Sequence, residues 1–150
     1  MQKAFDTVNH KILLDKLEHY GIRGTALTWF SSYLSNRSQY VSVNGCKSNH
    51  LSIKCGVPQG SVLGPLLFLI YINDLPNCSS KLSFYLFADD TNIYFESDTL
   101  DNLQIVVNKE LRHVKKWLDA NKLALNVGKT NFVVFHSVQN SLSESVSIKI

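Results

Sequence analysis

Apolar residues recur at spacings of three and four in three parts of the chain, and this period predicts amphipathic helices. Two short helices are predicted near the N-terminus, the first ending at Gly21 and the second starting at Thr25. A longer helix is predicted after Ser97, which can cap it. The inward positions of these helices are Leu13, Leu17 and Tyr20, then Leu27, Phe30 and Leu34, and finally Leu100, Leu103, Val107, Leu111, Val114 and Leu118.

A period of two replaces the helical period elsewhere, which predicts strands. Val41 and Val43 share one face ahead of a turn signal at Asn44-Gly45, and the alternation resumes from Leu51 to Cys55. These segments predict a hairpin with a long loop. Two further pairs of strands are predicted at Leu82–Phe87 and Asn92–Phe95, and at Leu123–Val127 and Phe132–Phe135. Because residues 88–91 form a short turn, the first of these pairs is expected to be antiparallel.

The longest apolar run, residues 62–72, predicts a core helix. Pro65 can occupy the first turn of a helix without losing a bonded N–H, and the helix has to end at Pro76. Since the run is apolar all round, we expect the helix to be buried on nearly every side. The run is well short of the ~20 residues that cross a bilayer, so no membrane partner is expected.

Composition narrows the class of protein only a little. A chain of 150 residues that is 45% hydrophobic is long enough for one compact domain with a core. Its net charge of +3 does not by itself mark a nucleic-acid binder. The cysteines Cys46, Cys55 and Cys78 form no paired motif and no secretory signal precedes them, which predicts an intracellular protein that is not secreted.

The adjacent carboxylates Asp89 and Asp90 are the first candidate site. They fall at the predicted turn between two hydrophobic strands, which would aim both groups at one point. Like charges repel there and a divalent cation relieves the repulsion, so the pair is a candidate magnesium site. For an isolated pair of aspartates, an ordinary acidic turn is the simpler interpretation.

Three motifs give that turn a context. They are KAFDTVNH at residues 3–10, GVPQGSVLGPLLFLIYINDL at residues 56–75 and FADD at residues 87–90. In this order and at these separations they resemble the reverse transcriptases of non-LTR retrotransposons, and the likeness extends from Lys3 to about His136. FADD alone is weak evidence for this family, whereas the three motifs in this order are specific to it. A group II intron maturase or a telomerase fits the second motif less well.

The resemblance implies an α+β fold of the polymerase palm type. Its antiparallel sheet would have the FADD hairpin at its centre, backed by the helix at Pro65 and by a helix from Thr99 to Asn121. The domain would be a palm core of residues 3–136, truncated at its N-terminus and followed by a poorly ordered tail of residues 137–150.

The resemblance also implies RNA-directed DNA synthesis. The substrates would be deoxynucleoside triphosphates, the partners an RNA template and a DNA primer, and the cofactor Mg²⁺, with Mn²⁺ as a substitute. Such a protein would work in the nucleus or the cytoplasm. The alternative is a catalytically inactive retrotransposon remnant, either inert or weakly bound to nucleic acid.

The family also suggests which carboxylates bind metal. Its first FADD aspartate ligates the catalytic metals, so the resemblance makes Asp89 a catalytic ligand and Asp90 its support. A further catalytic aspartate begins the family pattern D-x-x-x-A-F-D. Aligned on Ala4-Phe5-Asp6, this pattern places that aspartate one residue before Met1, while Asp6, expected on a strand and its turn, is not a ligand. We therefore expect weak magnesium binding and little polymerisation by this chain alone.

Three further residues match family positions that contact substrate. Phe5 matches the bulky residue that excludes a ribose 2′-hydroxyl, and a role as a core aromatic beside Leu13 is compatible with that. Gln59 and Gly60 would help to position template and nucleotide, because an amide can bond a base edge and a glycine lets backbone approach a ligand closely.

Lys129 matches a family lysine that lies near the triphosphate and could protonate pyrophosphate, although a turn lysine is usually just solvated. The string Gly128-Lys129-Thr130 is not a nucleotide-binding P-loop, because Leu123 stands where the first glycine is required.

Cationic residues interleaved with aromatic ones could touch phosphates and bases. Arg37 lies near Tyr33 and Tyr40 in the sequence, and Lys115-Lys116 precedes Trp117. In the long helix we expect Trp117 to pack on the core side and the lysines to face water.

Overall fold

The computed structural model describes residues 1–137 and 146–149. The chain forms two compact units, one of residues 3–73 and one that combines residues 1–2 with residues 74–150. We refer to them as the 3–73 unit and the 74–150 unit. Both mix helices with short antiparallel strands, which agrees with the expected α+β class.

Four helices form the framework of the 3–73 unit: α1 (Ala4–Thr7), α2 (His10–His19), α3 (Gly24–Leu34) and α4 (Leu63–Ile72). The two predicted N-terminal helices are confirmed as α2 and α3. The Asn9 side chain caps α2 by accepting a hydrogen bond from the Ile12 amide at 3.1 Å. Tyr20, expected to face inward, is 45% exposed because it lies just beyond the last turn of α2. The core of the unit is Ala4, Val8, Leu13, Leu17, Leu34, Val57, Leu67, Phe68, Tyr71 and Ile72.

The segment that carries Phe5 and Asp6 is a single helical turn, α1, so the expectation of a strand there is wrong. The turn is closed by the Thr7 hydroxyl, which donates to the carbonyl oxygens of Lys3 and Ala4, both at 3.2 Å. It buries Ala4 and places the Phe5 ring 4.7 Å from that of Phe68. Packing on α4 therefore decides the local conformation, and the short pattern around Phe5 gives no sign of it.

A hairpin of four short strands follows α3, and we call it the basic hairpin. Its strands are β1 (Ser38–Gln39), β2 (Ser42–Val43), β3 (Cys46–Lys47) and β4 (Leu51–Ser52), with β2 paired to β3 and β1 to β4. The predicted hairpin is confirmed, but the prediction that its loop is long is wrong. The tip is the two-residue turn Asn44-Gly45, with φ of 50° and 81°, which both residue types tolerate.

The predicted apolar helix is confirmed as α4, but one of its faces is not buried. Val62, just before the helix, is 94% exposed, and Leu66 and Leu69 are 52% and 46% exposed. Apolar sequence marks which residues could be buried, whereas the elements that pack around a helix decide which are. Within the 3–73 unit, α1 and α2 contact α4. No helix in the described ranges, 1–137 and 146–149, is long and apolar enough for a membrane span.

The 74–150 unit is built on one long helix, α5 (Leu100–Ala120). Thr99 caps this helix by accepting from the Asn102 amide, and Ser97, the predicted cap, instead accepts from the Asn102 side-chain amide at 2.8 Å. The other elements are a 3-10 helix (Leu75–Cys78), β5 (Ser83–Phe87), β6 (Asp90–Tyr94) and a 3-10 turn (Val127–Lys129). Its buried apolar residues are Leu75, Leu82, Leu111, Val114, Leu118 and Leu123.

Two strand predictions in this unit are wrong. Residues 123–127 and 132–135 do not pair with any strand in the described part of the chain, where all three ladders are two-stranded. Leu123 is buried in the core, whereas Phe135 is 88% exposed. Alternation predicts a strand only where a partner strand is available to pair with it. For the same reason, the expected sheet with the FADD hairpin at its centre is not formed among these residues.

The C-terminal segment was expected to be a poorly ordered tail from residue 137, and residues 138–145 and 150 of it lie outside the described residues. Residues 146–149 lie along α5. The Ser147 amide donates to the Gln104 side chain at 2.8 Å, and the Lys149 amide donates to the Asn108 side chain at 2.6 Å. These two helix residues therefore fix the backbone of the segment through their side chains.

Candidate active site

Strands β5 and β6 form a regular antiparallel hairpin, which we call the carboxylate hairpin. Its register runs from Ser83 opposite Tyr94 to Phe87 opposite Asp90. The predicted antiparallel pairing is confirmed, but the turn is tighter than expected. Only Ala88 and Asp89 lie outside the ladder, and Asp90 already belongs to β6.

Alternation along both strands gives the carboxylate hairpin two different faces. Phe84, Leu86 and Ile93 are half-buried on one face. The other face is exposed and aromatic, with Tyr85 and Tyr94 in edge-to-face contact at 5.2 Å. Asp90 lies on this exposed face, since its partner across the ladder is Phe87, which is 80% exposed. Asp90 therefore lies on the same exposed face of the hairpin as these aromatic residues.

Asp89 and Asp90 are both exposed. Asp89 is the second residue of the turn, after Ala88, whose φ of 51° lies in the left-handed region. The Met1 amino group donates to the Asp89 carbonyl oxygen at 3.3 Å, and the Gln2 amide donates to the Ala124 carbonyl oxygen at 2.9 Å. The first residues of the chain are therefore held next to the carboxylate turn.

No third metal-binding side chain joins the two aspartates in the part of the chain that the structure describes. Among those residues, no group of three or more His, Cys, Asp and Glu side chains could hold a metal ion together. Two adjacent carboxylates nevertheless have the right chemistry for Mg²⁺, which commonly takes one or two carboxylates and fills its octahedron with water and substrate phosphates. The donor set thus fits magnesium, with fewer protein ligands than a closed site would have.

A buried pair of polar side chains holds in place the residues just before β5. Glu110 and Ser79 are both buried, and the Ser79 hydroxyl donates to the Glu110 carboxylate at 2.7 Å. The Ser79 oxygen also accepts from the amides of Lys81 and Leu82, both at 3.2 Å. The hydrogen bond from Ser79 lowers the pKa of Glu110, burial opposes this effect, and His113 adds to the lowering. The carboxylate is therefore ionised at neutral pH and holds the strand entry in place.

Sequence reasoning missed this Ser79 and Glu110 pair. One signal was present, because Glu110 lies three residues after Val107 and four before Val114, on the apolar face of α5. A carboxylate on a core-facing stripe has to find a hydrogen-bond donor, and the donor here is Ser79. Nothing in the sequence identifies that donor, since it lies 31 residues away.

The predicted substrate residues Phe5, Gln59 and Gly60 all belong to the 3–73 unit. The Gln59 amide donates to the Asp6 carboxylate at 2.6 Å. The amide that was expected to contact a substrate is therefore held by its own chain, and Asp6 acquires a positioning role that the sequence did not indicate. Gly60, with φ of 78°, has open space where a side chain would be.

At Gly56 the backbone lies close to another segment of the protein rather than to open space for a ligand. A Cβ at this position would lie 2.9 Å from the Asp6 Cα atom. The Gly56 amide donates to the Val8 carbonyl at 2.7 Å, and the Gly56 carbonyl oxygen lies 2.7 Å from the His10 ring nitrogen Nε2. The glycine thus lets the GVPQG segment pack on the KAFDTVNH segment.

Lys129 lies exposed in the 3-10 turn Val127–Lys129, and its amide is bonded to the Asn126 carbonyl at 3.0 Å. The expectations for the long helix are confirmed, since Trp117 is half-buried and Lys115 and Lys116 are exposed.

Comparison with known proteins gives the same family as the motifs. A family model described as reverse transcriptase (RNA-dependent DNA polymerase) matches residues 1–149. The RNA-directed DNA polymerase from the mobile element jockey of Drosophila funebris is 30% identical over 142 residues, covering 90% of this chain and 15% of that protein. The probable RNA-directed DNA polymerase from transposon BS of Drosophila melanogaster is 31% identical over 143 residues, covering 87% of this chain and 15% of that protein.

A similarity over a shorter part of the chain is to the retrovirus-related Pol polyprotein from the type-1 retrotransposable element R2 of Popillia japonica. It is 30% identical over 112 residues, covering 65% of this chain and 18% of that protein. The chain thus spans about 15% of the length of the jockey and BS proteins. With the match over nearly its whole length and with these relatives, the chain belongs to the reverse transcriptase family, in the form found in non-LTR mobile elements.

Proposed function

We propose that this chain supplies the carboxylate turn of an RNA-directed DNA polymerase, which adds deoxynucleotides to a DNA primer on an RNA template. The observation that carries the proposal is the position of Asp89 and Asp90 at the tip of a regular hairpin, both open to solvent. The names of the jockey and BS relatives describe the same activity for those longer proteins.

Asp89 and Asp90 are the residues that would hold Mg²⁺, or Mn²⁺ in its place. When bound, the metal would lower the pKa of the primer hydroxyl and offset charge on the triphosphate. The two-residue turn Ala88-Asp89 places Asp89 at the tip of the hairpin, next to Asp90 at the start of β6. The ladder from Ser83 to Tyr94 keeps that loop rigid, so little order has to be gained when a cation binds.

The family's further aspartate corresponds to a position just before Met1. The Met1 amino group lies 3.3 Å from the Asp89 carbonyl oxygen, so a residue joined to it would start beside the turn. This geometry supports a site completed by an upstream residue in a longer chain. We expect residues 1–150 alone to bind magnesium weakly and to extend a primer poorly, because the described residues bring no third His, Cys, Asp or Glu side chain to the two aspartates.

The 3–73 unit would supply the substrate contacts. Phe5, half-buried against Phe68, has a fixed ring that could exclude a ribose 2′-hydroxyl by steric contact. The Gln59 amide is oriented by Asp6, which leaves its carbonyl oxygen as the group to contact a base or backbone. Gly60 leaves room for a ligand to approach the backbone. In the 74–150 unit, the exposed Lys129 would lie near the triphosphate and donate a proton to pyrophosphate.

Primer extension on an RNA template with Mg²⁺ tests this proposal. The chain should be compared with a version extended upstream through the matching aspartate, and the extended version should be the active one. In that version Asp89→Asn should reduce the rate at least about a hundredfold, because a ligand of the reacting centre is lost. The matched control is Asp98→Asn, an exposed aspartate outside both strands, which should extend normally. Unchanged extension in Asp89→Asn would reject the assignment.

A second candidate function is nucleic-acid binding without catalysis. It is favoured by the finding that no group of three or more His, Cys, Asp and Glu side chains could hold a metal ion among the described residues. Under this alternative, the upstream extension would restore no activity, although RNA would still bind.

A further inference from the structure

Helix α3 and the residues just after it carry a stack of two aromatic rings and one arginine, in which Trp29 and Arg37 are exposed and Tyr33 is half-buried. The rings of Trp29 and Tyr33, one helical turn apart, are nearly parallel, with an interplanar angle of 11° and centroids 5.4 Å apart. The Arg37 guanidinium lies 5.9 Å from the Tyr33 ring centroid. Trp29 is 52% exposed, so one face of this stack is open. We call these three residues the α3 stack.

The neighbouring basic hairpin repeats this chemistry. The Tyr40 ring lies 4.7 Å from the His50 ring, and the Lys47 ammonium lies 5.3 Å from the Tyr40 centroid. The two groups are linked directly, since Ser38 follows Arg37 and its hydroxyl lies 3.4 Å from the His50 ring nitrogen Nδ1. The Ile53 amide donates to the Arg37 carbonyl at 2.8 Å, which ties the end of the hairpin to the α3 stack.

The part of the chain that contains α3 and the basic hairpin carries only positive charges. Residues 19–73 contain no aspartate and no glutamate, whereas they contain four cations, Arg23, Arg37, Lys47 and Lys54. Over the whole chain, 15 cations and 12 carboxylates nearly balance. A local excess of this kind is complementary to a polyanion and is hidden in the overall net charge.

We propose that the α3 stack and Tyr40 form a binding surface for single-stranded RNA. Flat, solvent-exposed rings stack on the faces of unpaired bases, whatever the sequence, and arginine and lysine beside them meet the phosphates. Bases in a duplex are already stacked on each other, so a duplex cannot use these rings. The choice of RNA rests on the proposed function, in which the single strand is the template ahead of the site of synthesis.

The test uses the intrinsic fluorescence of Trp29. The chain has two tryptophans, so Trp117→Phe leaves Trp29 as the only one. Titration of that full-length protein with an oligouridylate of about 12 nucleotides should quench the emission to saturation, because a base stacks on the indole. The same RNA annealed into a duplex should produce little quenching.

Two variants measure the binding energy independently. Trp29→Leu and Arg37→Gln should each weaken binding of a labelled oligouridylate by about tenfold, as measured by fluorescence anisotropy. The matched controls are Phe135→Leu, an 88% exposed aromatic in the 74–150 unit, and Arg112→Gln, an exposed arginine of α5. Both controls should bind normally. Circular dichroism confirms folding, and the Trp29 quenching needs no change to the α3 stack itself.

Several results would overturn the inference: RNA that fails to bind, RNA that binds without quenching Trp29, or a duplex that quenches equally. Equal affinity for an acidic peptide such as polyglutamate would make the surface a general anion or protein site instead. Primer extension by the longer version without Trp29 quenching would reject this surface and leave the proposed function intact. Quenching without metal-dependent extension would reject the catalytic proposal and leave the surface intact.

Discussion

The basic hairpin and the carboxylate hairpin have the same antiparallel pairing but opposite turn chemistry. The basic hairpin turns at Asn44-Gly45, where positive φ values suit both residues. The carboxylate hairpin turns at Ala88-Asp89, where an alanine with φ of 51° costs about 1–2 kcal/mol. The first turn follows local preference, and the second opposes it. Strain of this kind clusters at functional sites, which agrees with the metal-binding role proposed for Asp89.

The hairpins also differ in how they are anchored. The segment just before the carboxylate hairpin is held in place by a buried hydrogen bond between Ser79 and Glu110. The basic hairpin is held by the Ile53 to Arg37 backbone bond and an exposed contact between Ser38 and His50. Its cations and open rings suit a surface that adapts to a ligand, whereas the buried anchor suits a site whose geometry has to be fixed.

Removing the buried anchor should produce the largest effect on stability. Ser79→Ala leaves two backbone amides without their acceptor and leaves the buried Glu110 carboxylate with His113 as its remaining partner, which should destabilise the 74–150 unit by about 2 kcal/mol. Amide hydrogen exchange in β5 and β6 measures this loss. The matched control is Ser42→Ala, an exposed serine of the basic hairpin, which should change stability by less than about 0.5 kcal/mol. Equal effects of the two changes would show that the buried pair does not anchor the hairpin.

Putting glycine into the carboxylate turn and alanine into the basic turn should change the stability of the two hairpins in opposite directions. Ala88→Gly should stabilise the carboxylate hairpin by up to about 1 kcal/mol, since glycine adopts positive φ without strain. Gly45→Ala should destabilise the basic hairpin by about 1 kcal/mol, since its φ is 81°. Denaturant titration followed by signals from each hairpin checks both values. If Ala88→Gly were destabilising, the turn would not be strained.

Lowering the pH should destabilise the carboxylate hairpin and leave the stability of the basic hairpin unchanged. The bond from Ser79 lowers the pKa of Glu110 from its ordinary value of 4.5, so the folded form has the lower pKa. Its stabilisation is therefore fully present above the unfolded pKa of 4.5 and is lost as pH falls through the folded pKa. Exchange protection in β5 should fall in that range, by less than in Ser79→Ala, while protection in β2 and β3 persists. Glu110→Gln should abolish this difference between the hairpins.

The sequence predicted the elements whose own pattern determines them. Leu13 and Leu17 on α2, and Leu111, Val114 and Leu118 on α5, are buried as their spacing indicates. These helices have a continuous apolar stripe and polar residues on the other face, so their conformation depends little on distant contacts. The two hairpins were also predicted, the basic hairpin from its Asn44-Gly45 turn signal and the carboxylate hairpin from two hydrophobic strands separated by a short polar segment.

Other features depend on contacts between distant residues and were not predicted. The helical turn at Phe5 exists because that ring packs on Phe68, 63 residues away. The segment at Phe132 alternates like a strand but has no partner strand among the described residues. The bond from Gln59 to Asp6 joins residues 53 apart. Patterns in one sequence show which residues could be buried or paired, whereas the folded chain decides their partners.

The central claim is that Asp89 and Asp90 hold a divalent cation at the tip of the carboxylate hairpin. Paramagnetic Mn²⁺, added in small amounts to isotope-labelled protein, broadens the amide signals of residues near its binding site. We expect the strongest broadening at residues 88–91. This broadening should be lost in Asp89→Asn and kept in Asp98→Asn. Strongest broadening elsewhere, or broadening at 88–91 that survives Asp89→Asn, would contradict it.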